Sequence, residues 1–352
     1  MTPRERVMAV LRGEPVDKIP FTIYEGMIPQ CSVERQLRND GLCIVNRQQP
    51  VCGVRTPGCR TETHTYAEDG KPRVKRVTYT PVGEVSEVRE PAGFTSWAVE
   101  KLFKGPEDYS VLKHMVACRE YFATYDRYVT AEQWMGEDVI LRGGIGLTPL
   151  HEIMISWMGV ETFAFEWLDR RDEVLELERV MRESRRGVYP ILADSPITHA
   201  NYGGNEVPEV MGVPRFKEFC VPCYEECAEL FRPKGKLQGT HLDGNNRPWA
   251  AAVAAAPLDY IEAFTPAPDT DMSLAEALDA WPDKVLWINF PSSLHLASLE
   301  VIRETTRDFV ALGRETNRVI IGITEDIPKD RWQESLLAIS EVVDENPLSK
   351  SL

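Results

Sequence analysis

The sequence predicts an α/β fold, namely a closed (β/α)8 barrel with an N-terminal helix and an inserted antiparallel β meander. Eight apolar segments with strand character are each followed by a helical pattern, as in parallel sheets covered by helices. Neither a G-x-G-x-x-G motif nor a Walker motif is present, although a doubly wound sheet would more often carry such a phosphate loop. The strand count and the missing loop together favour the barrel.

The elements follow from local signals along the chain. Thr2 to Glu5 forms a capping box with Pro3 at the first helical position, which predicts a short helix that ends at Gly13. Apolar runs predict barrel strands at 19–24, 42–46, 139–142, 196–201, 236–240, 258–263, 284–288 and 318–323. Helical patterns occupy 32–39, 106–134, 150–158, 160–186, 214–231, 248–255, 273–281 and 299–313.

The segment from about 54 to 104 departs from this rhythm. Its alternating Thr, Val, Tyr and charged residues predict an inserted antiparallel meander, and Asp69-Gly70 is a strong signal for a two-residue hairpin turn. Because the α/β pattern resumes after the insertion, we expect a single barrel domain over residues 1–352.

Composition excludes several classes of function. The 352 residues include 55 acidic and 40 basic side chains, giving a net charge of −15, which repels nucleic acid and anionic membranes. The N-terminus lacks an apolar signal core and no apolar run is long enough to cross a bilayer, so we expect a cytoplasmic protein. The eight cysteines are then expected as thiols, metal ligands or packing residues.

Two groups of cysteines have a residue type suited to metal binding but not the spacing. Cys220, Cys223 and Cys227 have helical spacing, which more often marks a packed stripe than a metal cluster. Cys52 and Cys59 are too widely spaced for a zinc knuckle and lack a second pair. Neither group by itself predicts a metal site.

The turn Gly239-Thr240-His241-Leu242-Asp243-Gly244-Asn245 follows the fifth predicted strand. The active site of a (β/α)8 barrel lies on the loops after its strands, so His241 and Asp243 fall at the barrel mouth. With Glu325 and Glu206, which also follow strands, they could hold one divalent metal; alternatively, His241 and Asp243 work as a metal-free pair. Several aromatic residues could form the wall of a substrate pocket or simply pack in the core: Tyr24, Tyr202, Trp249, Phe264, Trp287 and Phe290.

Three segments carry a family resemblance: Thr2-Pro-Arg-Glu-Arg-Val-Met-Ala-Val-Leu-Arg-Gly-Glu-Pro-Val-Asp-Lys-Ile-Pro20, Gly212-Val-Pro-Arg-Phe-Lys-Glu-Phe-Cys-Val-Pro-Cys-Tyr224 and Gly322-Ile-Thr-Glu-Asp-Ile-Pro328. Together with the His turn they resemble the uroporphyrinogen decarboxylase superfamily over nearly the whole chain. The decarboxylases carry Met-Arg-Gln-Ala-Gly-Arg after the first strand, where this chain has Tyr24-Glu-Gly-Met-Ile-Pro29. Porphyrinogen decarboxylation is therefore the least favoured activity.

The meander and the His turn are similar to the cobamide-dependent methyltransferase branch. In the coenzyme M enzymes, zinc is held by a His-x-Cys turn and a later Cys, whereas this chain has Asp243 and Thr324-Glu325 at those positions. Acidic residues and a more distant His take part in the O-demethylating enzymes. By position, that likeness implies His241 as a ligand or base, with Glu206, Cys220, Asp243 and Glu325 as its partners.

The resemblance implies a methyltransferase that moves a methyl group from a small donor, a methoxylated aromatic, to the cobalt of a separate corrinoid protein. Zinc is the implied metal and the partner supplies the cobamide. We predict catalytic roles for His241, Asp243 and Glu325, and substrate binding by Tyr24, Glu25, Tyr202, Asn205, Trp249 and Phe290. The alternatives are a methylcobamide-to-thiol or folate methyltransferase, or a metal-free member that binds a ligand or a corrinoid partner.

Overall fold

A computed structural model describes residues 1–93 and 95–348 of the chain. The chain divides into two compact units. The first, called here the barrel unit, comprises Met1–Val51, Tyr125–Gly146 and the chain from Pro196 onward; the second unit comprises Cys52–Thr124 and Leu147–Ser195. A single domain over the whole chain stays a prediction.

The barrel unit contains one parallel sheet that closes on itself. Its strands are β1 (Phe21–Tyr24), β2 (Cys43–Asn46), β3 (Val139–Leu141 and Gly143–Gly146), β4 (His199–Tyr202), β5 (Leu237–His241), β6 (Tyr260–Phe264), β7 (Val285–Asn289) and β8 (Val319–Ile323). The two halves of β3 lie at opposite ends of the sheet order, the first beside β2 and the second beside β4. Because only Arg142 separates them, they form one kinked strand and complete an eight-stranded barrel.

Helices follow the strands as the alternating pattern predicts. Thr2 caps the first helix through the expected capping box with Glu5. The helices of the barrel unit are Pro3–Leu11, Ser32–Asn39, Tyr125–Trp134, Pro208–Met211, Val213–Arg215, Val221–Phe231, Ala250–Ala255, Leu274–Ala280, Leu299–Thr316 and Trp332–Glu345, with a π-helical turn at Phe216–Cys220 and 3₁₀ turns at Arg232–Lys234, Arg247–Trp249 and Ser292–Leu296. The predicted (β/α)8 fold is confirmed.

The second unit carries the antiparallel strands. Arg60–Glu68, Lys71–Thr80, Gly83–Ala92 and Thr95–Glu100 form a four-stranded meander, and Asp69-Gly70 makes the predicted two-residue turn with positive φ at both positions. Cys52–Arg55 pairs instead with Glu120–Ala123. That last strand was predicted as helix, and pairing with a partner far along the chain explains the error.

The helices of the second unit are Asp108–Ala117, Pro149–His151, Val160–Asp169, Arg171–Arg185 and Tyr189–Asp194, with a π-helical segment at Glu152–Met158. The long helix predicted at 160–186 is interrupted at Arg170, whose backbone leaves the helical region. Across the described residues of both units, no helix combines the length and apolarity needed to span a membrane.

Gly239 makes room for a buried aromatic ring in the barrel. A Cβ atom at this position in β5 would overlap the ring of Tyr260, which is fully buried and donates a hydrogen bond to Oδ1 of Asn201 at 2.7 Å. We expect Gly239→Ala to lower the free energy of unfolding by about 1–3 kcal/mol, the usual cost of overpacking. Denaturant unfolding measures this. Gly144→Ala in β3 is the control, since its added Cβ meets no described atom within 4 Å; an equal loss in both variants would contradict the explanation.

Candidate functional site

Glu262 lies at the centre of the candidate site. It stands in the apolar strand β6 with no exposed surface, and the parallel register pairs it with His241 of β5. The next residue, Ala263, has a φ of +62°, and the register between β6 and β7 is irregular there. Left-handed backbone at a non-glycine residue is strained, and such strain concentrates at functional sites.

The Glu262 carboxylate contacts four side chains on four other strands or strand ends. Oε1 accepts a hydrogen bond from the hydroxyl of Tyr24 and forms an ion pair with Nη1 of Arg142 at 2.5 Å. Oε2 accepts from Nδ2 of Asn201 at 2.8 Å and contacts Nδ1 of His241 at 2.9 Å. A buried charge with this many donors is fully solvated by the protein.

The same contacts set the protonation states. Burial opposes charge on Glu262, but Arg142 and His241 outweigh burial and hold the pKa of its carboxyl well below the usual range. Burial likewise opposes charge on His241, yet Glu262 and Asp243 raise the pKa of His241 to about 10. Burial and Glu262 raise the pKa of Tyr24, so its phenol stays protonated. Near neutral pH, His241 is therefore an imidazolium that donates Nδ1–H to Glu262.

The other ring nitrogen of His241 faces Asp243. Nε2 lies 3.1 Å from Oδ1 of Asp243, an ion-pair distance, but makes no hydrogen bond of acceptable geometry within the described part of the chain. Asn205 orients Asp243 by donating to its Oδ2 at 3.0 Å. Glu325 is exposed as a whole residue, but its carboxyl group is partly buried. This burial and the nearby Asp243 carboxylate raise the pKa of Glu325. Predicted residues His241, Asp243, Asn205 and Glu325 thus belong to one neighbourhood.

Two predicted metal ligands have other surroundings. Glu206 is buried after β4, where its Oε2 accepts from the backbone N–H of Gly204 at 2.7 Å. Cys220 is fully buried in the π-helical turn Phe216–Cys220. Among the described residues, the five predicted ligands do not bring their ligand atoms together within 4.8 Å, so that ligand set stays a prediction. His241 and Asp243 are the pair with atoms already in place.

The residues predicted to bind substrate fall into two groups. Tyr24 stays at the mouth, with the Arg47 guanidinium 3.5 Å from its ring centre and Arg47 in turn bonded to Glu25 at 3.2 Å. The other aromatics have packing partners and are almost fully buried: Tyr202 against Tyr224, Trp249 against Phe216, and Phe290 against His295 and Phe309. For these three the structure shows core packing.

Sequence reasoning missed Glu262 and Arg142 as site residues. Glu262 was assigned to the interior of a strand, although it is the one charged residue of Tyr260–Phe264, and a carboxylate alone in an apolar strand requires a buried partner. Arg142 lies at the end of the strand predicted at 139–142 and occupies the kink of β3. An inward-facing charge within an apolar strand was the available signal for both.

Comparison with known proteins finds similar folds but no match by sequence. No protein-family description and no curated protein matches the sequence. The fold is similar to that of a methyltransferase from Methanosarcina mazei, with a TM-score of 0.58 and 13% identity over 98% of this chain and 99% of that chain. Modules of the pneumococcal exo-β-D-N-acetylglucosaminidase StrH give TM-scores of only 0.39 and 0.38, at 8% and 10% identity, over 92% of this chain and 82% and 81% of theirs. At 13% identity, the likeness to the methyltransferase shows a shared barrel fold.

Proposed function

We propose that the chain is a methyltransferase that removes a methyl group from a small methoxylated aromatic and passes it to the cobalt of a corrinoid partner protein. The observation that carries this proposal is the His241–Glu262 pair: Glu262 binds Nδ1 and leaves Nε2 beside Asp243 at the barrel mouth. The fold likeness to a methyltransferase is consistent with it.

An ether methyl group needs help to leave its oxygen. A cobalt(I) nucleophile donates an electron pair to the methyl carbon, the C–O bond breaks with its electrons staying on oxygen, and that oxygen needs a proton or a Lewis acid. His241 can supply the proton from Nε2, because Glu262 stabilises the imidazolium. Glu262 and Asp243 raise the pKa of His241, so the ring carries this proton near neutral pH.

A second chemistry at this site uses zinc, for which His241 and Asp243 offer two ligands. A histidine whose Nδ1 is bound by a carboxylate is the usual metal-ligating arrangement, and here Nε2 has a carboxylate oxygen 3.1 Å away. His241 and Asp243 would hold the ion together with Glu325, which does not yet share a 4.8 Å group with them among the described residues, and the ion when bound would supply a Lewis acid for the ether oxygen. As a proton donor His241 contacts the leaving oxygen itself, and as a zinc ligand it acts through the ion; in both cases Glu262 and Asn205 position His241 and Asp243.

Incubation of the purified protein with reduced cobalamin and a panel of methoxybenzoates tests this function. We expect methylcobalamin to form, as followed by its absorbance, and His241→Gln to slow its formation by about 10²–10⁴-fold. His64→Gln, an exposed histidine on the meander, is the matched control and should react at the wild-type rate. Loss of turnover on chelation, with recovery on added zinc, would show that His241 acts as a zinc ligand. Turnover that chelation does not affect would show that His241 acts as the proton donor.

Two results would overturn the proposal. One is an absence of methylcobalamin with every donor, with and without zinc. The other is wild-type turnover by His241→Gln. Methyl transfer from methylcobalamin to a thiol or folate, with no reaction in the forward direction, would instead assign the reverse-facing activity.

A further inference from the structure

A second cluster of metal-binding side chains lies in the second unit. Cys59 directly precedes the strand Arg60–Glu68, while His114 and Cys118 lie at the carboxyl end of the helix Asp108–Ala117. One ligand atom from each lies within 4.8 Å of the other two. These residues belong to the second unit alone and share none of the side chains around His241.

Local structure brings the three side chains together. His114 and Cys118 are four residues apart, so they lie on one face of the helix end. The backbone N–H of Cys59 donates to the carbonyl of Thr56 at 3.0 Å, closing a turn that fixes the approach of Cys59. All three side chains are partly exposed, so ions in solution can reach them.

We propose that Cys59, His114 and Cys118 form a zinc site with three protein ligands. In a tetrahedral zinc site, bonds of about 2.3 Å to sulfur and about 2.0–2.1 Å to nitrogen place the two ligand atoms about 3.5 Å apart. Sγ of Cys118 lies 3.5 Å from Nε2 of His114. The separation in this chain therefore already has the value that a shared zinc ion requires.

The donor set favours zinc over harder cations. Two thiols and an imidazole are soft to borderline ligands, whereas Mg²⁺ and Ca²⁺ take oxygen ligands. Within the described part of the chain no fourth His, Cys, Asp or Glu joins the group, which leaves one coordination position for water or an external ligand. A bound ion would tie the turn before Arg60 to the end of the helix and stabilise the folded unit by mass action.

Cobalt(II) is the probe that reports thiolate ligation directly. Protein reduced and freed of metal under anaerobic conditions is titrated with Co²⁺, and we expect thiolate-to-cobalt charge-transfer absorption that saturates at one equivalent and disappears when Zn²⁺ is added. Cys59→Ser and Cys118→Ser should lose this absorption. Cys52→Ser, a partly exposed cysteine of the same unit, and His241→Gln should keep it in full.

Thermal unfolding provides a second readout that is independent of methyl transfer. Zinc should raise the Tm of His241→Gln but not that of the double variant His241→Gln/Cys118→Ser. The proposal is overturned by absent charge-transfer absorption in the reduced protein, or by absorption that survives Cys118→Ser. A Cys59–Cys118 disulfide in the isolated protein, with no metal uptake after reduction, would also overturn it and assign a redox pair. None of these outcomes depends on the activity proposed for His241.

Discussion

Replacing Glu262 by Gln is expected to lower the free energy of unfolding by about 3–5 kcal/mol, the cost of breaking a buried charge network. The carboxylate balances Arg142 and His241 in a site where Glu262 has no exposed surface. The neutral amide removes that balance, and one of its two oxygen positions becomes an NH₂ group facing donors. Urea unfolding measures the loss. Glu229→Gln, an exposed site on the helix Val221–Phe231, should change the free energy by no more than about 0.5 kcal/mol.

The same substitution, Glu262→Gln, should lower the pKa of His241. In the metal-free wild-type protein the pKa of His241 is about 10, against an ordinary value of 6.5, so its stabilising contribution is complete below pH 6.5 and lost as pH rises through about 10. Without the Glu262 charge, burial dominates and the pKa falls. NMR titration of the His241 ring in chelator-treated protein measures this shift. An unchanged titration of His241 in Glu262→Gln would show that Glu262 does not control its proton.

The amino-acid pattern predicts the barrel because strands and helices have short-range periodicity. All eight predicted strands overlap observed ones, and the Asp69-Gly70 hairpin follows from two residues that accept positive φ. The strand Glu120–Ala123 shows the limit of such reasoning. Its pairing partner Cys52–Arg55 lies far away in sequence, so its conformation depends on a contact that no local pattern encodes.

Some residues of the candidate site could likewise be predicted from local sequence, and others could not. His241 and Asp243 could be predicted because polar residues just after a strand fall at the barrel mouth. Glu262 could not be assigned to His241 from spacing, because their pairing comes from the register of β5 against β6. The cluster of Cys59 with His114 and Cys118 could not be predicted for the same reason: Cys59 is distant in sequence from the other two and meets them only in the folded second unit.

A buried histidine beneath the site is expected to make the protein sensitive to acid. His199 of β4 has no exposed surface; its Nδ1 contacts the Thr198 hydroxyl at 3.0 Å, and its ring packs near Tyr260 and Trp287. Burial, aided by the positive charge of Arg142, lowers the pKa of His199 to about 3. Folding therefore requires the neutral ring.

The sign of the pH dependence follows from this lowered pKa. Between pH 6.5 and about 3 the unfolded chain binds a proton that the folded chain does not, so stability is complete above pH 6.5 and falls as pH drops through this window. One such group contributes a slope of at most about 1.4 kcal/mol per pH unit. Burial similarly lowers the pKa of His295 to about 4, which adds to the loss. Urea unfolding between pH 4 and 7 should show that the free energy of unfolding of His199→Gln depends less steeply on pH than that of the wild type. His64→Gln is the exposed-histidine control. Equal pH dependence in wild type and His199→Gln would mean that another group causes the loss of stability in acid.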